Sequence, residues 1–518
     1  MKNKKKLTLV QGILLVLLVQ LAVAAVHAFV LQFYTREDVM LATVFHMVQV
    51  ALIFLYCLDL RKLRDRFAYL AFHVAYTVLL QGTYFAEFGN PAFYGNFHYS
   101  AVVRIHYVNQ VRGLFYILLS QLVVFAAYTY DEWKEIRWVT SIRYRLCKLL
   151  PDRKTHRISR RSHNLEDRNT ICWIRRISMF FMIAGGVAAF TKLGLKIAFV
   201  LTHDYLDTYL NTGDALYQNP ILDLFDKFYF LGFYGYLCTF PKKKQLIFPV
   251  VLYGVFAVLT LMTGVRGDLV VNTLFLIWYL FQWDRNAEGQ KPFLPVRRIL
   301  MLAVLGLGGF VFLYYFGRRR LGITDDEFSL LGGLVGFIKS QGGSGQLVET
   351  GLEFREELHT YLSSFMMVFS PIRNFLINNS LVRMFTGGAL GQTVENLYRA
   401  GSFGDVLTYL TNPDSYLSGA GIGTCYVAEL AVAMGGLGVT AFSIFLGWIL
   451  KRMDRLIPRR WISNMLLMNI VGTIIYIPRH AALGFIPESL SVVVYIFIVL
   501  VCLHFIDFLQ RKKEEHSV

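Results

Sequence analysis

About twelve apolar runs near 20 residues long, set between short charged connections, constrain this chain more than any other feature. A bilayer core needs roughly 20 apolar residues per helix. There, every backbone N–H and C=O must be satisfied within the segment itself, so such runs can only be helices or parts of a closed barrel. The runs lie at 7–33, 39–58, 67–85, 111–130, 177–201, 221–240, 246–263, 269–283, 299–316, 425–450, 461–478 and 489–510. Charged residues make up 17% of the chain, against about 25% in soluble proteins. The expected class is an all-α polytopic membrane protein of about twelve spans. Leu9–Val30 is too long for a signal h-region and no clear cleavage site follows it, so it is read as the first span.

The connections then set the orientation. Alternate ones, starting from the N-terminus, hold 36 of the 52 Lys and Arg residues. Basic connections stay in the cytosol, which puts both termini there. The net charge of +17 is therefore topogenic, and with no stacking-aromatic module on the basic segments, nucleic acid is not an expected partner. The stretch 131–176, with thirteen Lys/Arg against six acids, reads as an orientation signal and not as a catalytic domain. Five of the six cysteines fall at or near the cytosolic side, and Cys425 has no partner on the other, so no disulfide framework is expected. The chain divides into 1–316 (nine spans), a large structured extracytoplasmic connection at 317–424, and 425–518 (three spans).

Parity places the turn Met262-Thr263-Gly264-Val265-Arg266-Gly267-Asp268 at the outer face. Its two glycines permit a tight reversal with positive φ, which would hold Arg266 at the lipid–water boundary. Arg318, Arg319 and Arg320 follow span nine on the same face, against the orientation rule. Pro478-Arg479-His480 closes span eleven there, the proline fixing where the next two side chains point. The 317–424 connection is too long for a passive turn and should fold back over the membrane. Leu330–Ile338 reads as a short apolar helix, Gly342–Gly345 as a flexible link, and Glu353–Phe369, carrying Arg355 and His359, as a second helix. Glu429, about a turn and a half inside span ten, either pairs with an outer arginine or lines a cavity and takes part in chemistry. The aromatic segment 86–110, with Arg104 and His106, reads as an interfacial belt. Lys192, Lys196, Asp223 and Asp226 sit in or at the ends of spans, where a charge needs a partner, a wet cavity or a route to the interface. The loop His203–Pro220, rich in Tyr, Asp and Asn, suits sugar contact or an ordinary surface loop.

Arginine grips phosphate through a planar fork of donors and stays charged in a partly dry site. Several on one outer face fit a lipid phosphate or diphosphate. The chain has no P-loop, GxSxG, HExxH or CxxC pattern, which argues against ATP-driven transport, serine hydrolysis and structural zinc. Asp325-Asp326-Glu327 offers oxygen ligands but reads as a solvated acidic run. Neither a metal nor another cofactor is expected.

At this point the sequence resembles a family. The 264–268 turn, Gly421-Ile422-Gly423 with Glu429 and Gly435-Gly436-Leu437-Gly438, and Pro478-Arg479-His480 are similar to the Wzy-type bacterial O-antigen and capsule polymerases, relatives of the O-antigen ligases. The resemblance implies a GT-C-like glycosyltransferase in the bacterial cytoplasmic membrane. Its substrates would be oligosaccharide repeat units linked to undecaprenyl diphosphate, for O-antigen, capsule or exopolysaccharide. Its partners would be membrane lipids, a chain-length co-polymerase and a flippase. By position Arg266 and Arg479 match the family's outer-face arginines. Asp268, Arg318, Arg319, Arg320, Arg355, His359 and Arg104 are the further expected substrate contacts. The acceptor hydroxyl needs a base, for which Glu429, then His480, then His359 are the candidates. Competing readings are a lipid-linked oligosaccharide flippase or other twelve-span carrier, an O-antigen-type ligase, and a non-enzymatic envelope assembly factor.

Overall fold

A computed structural model describes residues 8–59, 62–97, 100–134, 168–203, 219–265, 267–286, 292–320, 329–378, 391–458 and 460–515. Every expected span falls on helix. Seven described helices are long and apolar enough to cross a membrane by length and composition: Leu9–Phe29, Arg36–Cys57, Tyr107–Tyr128, Asn169–Thr202, Lys243–Thr263, Tyr426–Met453 and Phe485–Lys512. The remaining runs form shorter, broken or more polar helices, such as Trp461–Ile475, or Phe67–Tyr76 continued through a π-helical turn at Thr77–Gln81. Among the described residues the strands are one short antiparallel pair, Asn96–Phe97 with Ser100–Arg104, inside the segment read as an aromatic belt. The protein is an all-α polytopic membrane protein.

Helices in lipid gain little from apolar contact with one another, so small residues and buried polar groups hold them together. Tyr107–Tyr128 packs on Tyr426–Met453 so closely that a Cβ on Gly447 would stand 2.6 Å from the Ala127 Cβ. Across the same seam the buried Ser120 Oγ lies 2.6 Å from Tyr426 Oη and 2.9 Å from Ser443 Oγ. Gln121 Oε1 accepts from Gln49 Nε2 at 3.0 Å and from Gln81 Nε2 at 2.9 Å. That one amide ties three helical segments together, and the π-helical turn is what brings Gln81 to it. The in-span charges found partners: Lys192 Nζ is 2.6 Å from Asp223 and 2.5 Å from Asp226.

Tyr426–Met453 is not a uniform rod. Gly435 has φ +62° and ψ −152° inside it, a conformation that only glycine adopts without strain. The glycine-rich stretch 435–438 is thus a kink.

The 317–424 connection packs back onto the ends of the spans. Thr83 Oγ1 donates to the Lys339 carbonyl at 3.0 Å, and the Lys339 ammonium pairs with Glu87. Two expectations for it are corrected. Gly342–Gly345 is not a flexible link but a buried 3-10 turn, wedged so tightly that a Cβ on Gly342 would meet Thr83 Oγ1 at 2.6 Å. Glu353–Phe369 is not one helix. The chain makes Gln346–Glu353, Arg355–Tyr361 and Ser364–Asn378, broken at Phe354 and at the extended Leu362. Next to the first break, the Glu353 carboxylate meets the start of the Tyr107–Tyr128 helix. It accepts from the His106 amide at 3.0 Å and from Asn109 Nδ2 at 2.9 Å, with His106 Nδ1 at 2.6 Å.

Candidate functional site

A cleft of about 630 Å³ opens between the Phe67–Tyr76 helix, the start of Gly267–Asn286 and the helices Val296–Arg320 and Leu330–Gln341. Two sequence features meet at it. The first is the turn after Thr260–Thr263, where Gly264 takes φ +81° and a new helix starts at Gly267. Gly264, Val265 and Gly267 all border the cleft. Only the first glycine needs the left-handed conformation; the second opens the helix. Arg266, between them, lies outside the described residues. The second feature is the end of Trp461–Ile475, where Pro478 sits in a single 3-10 turn at Ile477–Arg479. Tyr476, Arg479 and His480 border the same cleft.

Arg479 Nη1 donates to Gln341 Oε1 at 2.8 Å, so the last residue of Leu330–Gln341 reaches over to the end of a span. The His480 ring stands edge-on to Tyr476, with centroids 5.5 Å apart. His480 is exposed at the mouth of the cleft, where its low-dielectric surroundings, and then the adjacent Arg479 charge, lower its pKa to about 4. Near neutral pH the ring is uncharged and able to accept a proton. Away from this polar end the cleft is apolar: Ala71, Val74, Ala75 and Val78 form one wall, and Phe310 stacks on Phe337 with centroids 4.8 Å apart to form the other.

Glu429 is fully buried and does not border the cleft. One carboxylate oxygen accepts from Thr424 Oγ1 at 2.7 Å and the other from the Ala482 amide at 2.8 Å. Its partners are a hydroxyl and a backbone N–H, where its sequence position pointed to an arginine or to the cavity itself. By gripping Ala482 it anchors the loop that carries Arg479 and His480.

The other sequence candidates lie elsewhere. Asp268, the second residue of its helix, does not border the cleft, and Lys196 is the charge acting on it. Arg318, Arg319 and Arg320 end the Val296–Arg320 helix, but their side chains lie outside the described set. Arg355 and His359 are exposed on the Arg355–Tyr361 helix, and Arg104 is exposed at the end of the second strand. Asp325, Asp326 and Glu327 lie outside the described residues. Sequence reasoning missed Gln341 and the Phe310–Phe337 pair, since nothing in either local pattern marks a residue that works across a cleft. The small residues Ala71 and Ala75, one helical turn apart, did carry a readable signal for a close-approach face.

A model of the family described as O-antigen polysaccharide polymerase Wzy matches residues 12–513. No curated protein and no solved structure matches the chain.

Proposed function

Because this chain belongs to the O-antigen polysaccharide polymerase Wzy family, and because of the cleft it contains, we propose that it joins lipid-linked oligosaccharide repeat units at the outer face of the bacterial cytoplasmic membrane. The observation that carries this reading is the cleft's division into an apolar trough and a cationic end. A polyprenyl diphosphate has the same two parts, an isoprenoid chain and a compact anion.

In this reading the undecaprenyl chain lies along Ala71, Ala75 and the Phe310–Phe337 wall, with the diphosphate against Arg479 and Arg266. The bond between the anomeric carbon of the growing chain and the diphosphate oxygen breaks. A bond forms from that carbon to an acceptor hydroxyl oxygen of the next unit, and undecaprenyl diphosphate leaves. Charge grows on the departing diphosphate, and preorganised guanidinium groups stabilise it without calling on a metal. The hydroxyl proton goes to the neutral His480 ring. Glu429 then acts as a positioning residue, holding the loop through Ala482. Both termini lie in the cytosol, and a flippase and a chain-length co-polymerase stand before and beside the enzyme.

The test is reconstitution in detergent, where no membrane needs crossing. Purified protein with lipid-linked repeat units is expected to yield ladders of polymer on a gel. Repeat units that stay monomeric there, but change leaflet when the same protein sits in liposomes, would make it a flippase. Transfer of single units to a different lipid acceptor would make it a ligase.

A further inference from the structure

We propose that the 391–416 region, together with Asn374, forms a separate subsite for an uncharged, hydroxyl-rich ligand, a sugar ring of the glycan. The site is a second cavity of about 270 Å³ enclosed by the end of Ser364–Asn378, by Val394–Ala400 and Phe403–Thr411, and by Pro413–Leu417. Its chemistry is unlike that of the cleft. Asn374, Gln392, Asn396, Asp405 and Tyr416 line it, and among the described residues no lysine or arginine does.

That donor and acceptor set discriminates between ligands. A phosphate would face the Asp405 carboxylate, while the neighbouring Arg373 guanidinium is turned to the Gly401 carbonyl behind the lining. A divalent cation would find one carboxylate, and no cluster of three or more metal-ligating side chains occurs among the described residues. An apolar ligand would leave the buried Gln392 and Asn396 carbonyl oxygens without a donor. A polyol matches: each hydroxyl both donates and accepts, as amide, carboxylate and phenol groups require.

The orphaned atoms point the same way. Gln392 Oε1 and Asn396 Oδ1 are buried carbonyl oxygens with no hydrogen-bond partner. Asn396 is fixed in that orientation, because its Nδ2 donates to the Gly391 carbonyl at 2.9 Å. Two acceptors held empty beside a cavity call for O–H donors from a ligand. The frame behind them is rigid: Asp405 Oδ2 accepts from the Ser402 amide at 2.9 Å and from its hydroxyl at 2.7 Å, and Arg373 Nη2 donates to the Gly401 carbonyl at 2.6 Å. A volume of 270 Å³ falls just below the roughly 300–1,000 Å³ of drug-sized ligand pockets, which suits one ring and not a chain. The cavity also neighbours the segment that leads into the Tyr426–Met453 helix. A Cβ on Gly421 would stand 3.6 Å from Gln392 Nε2.

The ligand's identity as repeat-unit glycan rests on the polymerase reading; the cavity's preference for a neutral polyol does not. The experiment is saturation-transfer NMR on the full chain in nanodiscs. The probe is the free repeat-unit oligosaccharide released from its lipid by mild acid. Wild type is expected to transfer saturation to it, and Gln392→Ala and Asn396→Ala to bind roughly tenfold more weakly each, with melting curves unchanged. If Asn396→Ala unfolds, the near-isosteric Asn396→Leu, which also lacks the acceptor, replaces it and is read in the same way. Wild type that does not bind the oligosaccharide, or folded variants that bind as tightly as wild type, would overturn the subsite. Arg479→Ala separates the two readings: it is expected to bind the free oligosaccharide like wild type. If that variant still polymerises while Asn396→Ala has lost the sugar, the cleft assignment fails and the subsite stands.

Discussion

At the scale of single residues, Arg479 and Glu429 make the sharpest contrast. Arg479 borders the cleft, and its fork points at an amide that a ligand can displace. Arg479→Ala is expected to lower polymer formation by about 10²-fold or more while leaving membrane insertion intact, read from gel ladders and detergent extraction. Arg479→Lys should rescue poorly, since an ammonium lacks the planar pair of donors. Glu429 offers a different test. If it positions the loop, Glu429→Gln keeps an acceptor for Ala482 and should retain a measurable fraction of activity, whereas Glu429→Ala leaves a buried amide unpaired and should lose both melting temperature and activity. A base would be lost equally in both variants. His480 brings a pH signature. Its pKa is lowered to about 4, so the neutral form prevails down to mildly acid pH, and the rate should fall only as pH drops toward that value. His480→Gln should lower the rate at every pH and remove that acid limb.

At the scale of elements, the helices were readable because lipid allows so little else. Runs of apolar residues were enough to place every span on a helix. What the pattern did not show is where the helices break. The kink at Gly435 and the π-helical turn at Thr77–Gln81 come from tertiary demands, the second bringing Gln81 to Gln121. The Gly342–Gly345 run was misread for a related reason: glycine serves both mobility and close approach, and only the neighbours decide which. Gly435→Ala is therefore expected to cost stability and activity together, seen as a lower melting temperature in detergent. Glu349, on Gln346–Glu353, was likewise invisible in the sequence. Burial pushes its carboxyl up to about 8, with Tyr84, Gln110 and Gln346 around it. A carboxyl whose folded pKa lies above its unfolded value favours folding least once it must ionise. Wild type should thus lose stability as pH rises from about 4.5 to about 8 and level off above that. Glu349→Gln should flatten that loss, so that the melting difference between the two proteins widens from pH 5 to pH 9.

At the scale of the whole molecule, the sequence located one side of the site and lost the other. The 264–267 turn and the 478–480 end were legible because charge at a membrane end is costly and stands out. Gln341, Phe310 and Phe337 were not, because a wall contributed from some 40 to 170 residues away in the chain leaves no local trace. The polar cavity at 391–416 was lost for the same reason, since Asn, Gln and Tyr scattered over short helices look like any surface.

A Cβ added at Gly306, Gly308 or Gly309 would meet nothing outside its own helix turn within 4 Å, and Val304, Leu305, Leu307 and Phe312 around them are exposed. The far bank of the cleft is therefore a helix with protein on one flank and an exposed apolar face on the other, where lipid would lie in a membrane. Half of its support is on loan from the bilayer. Stripping that lipid should slacken this bank before any other part, so activity ought to fade in short-chain detergents and return when long-chain phospholipid is added back.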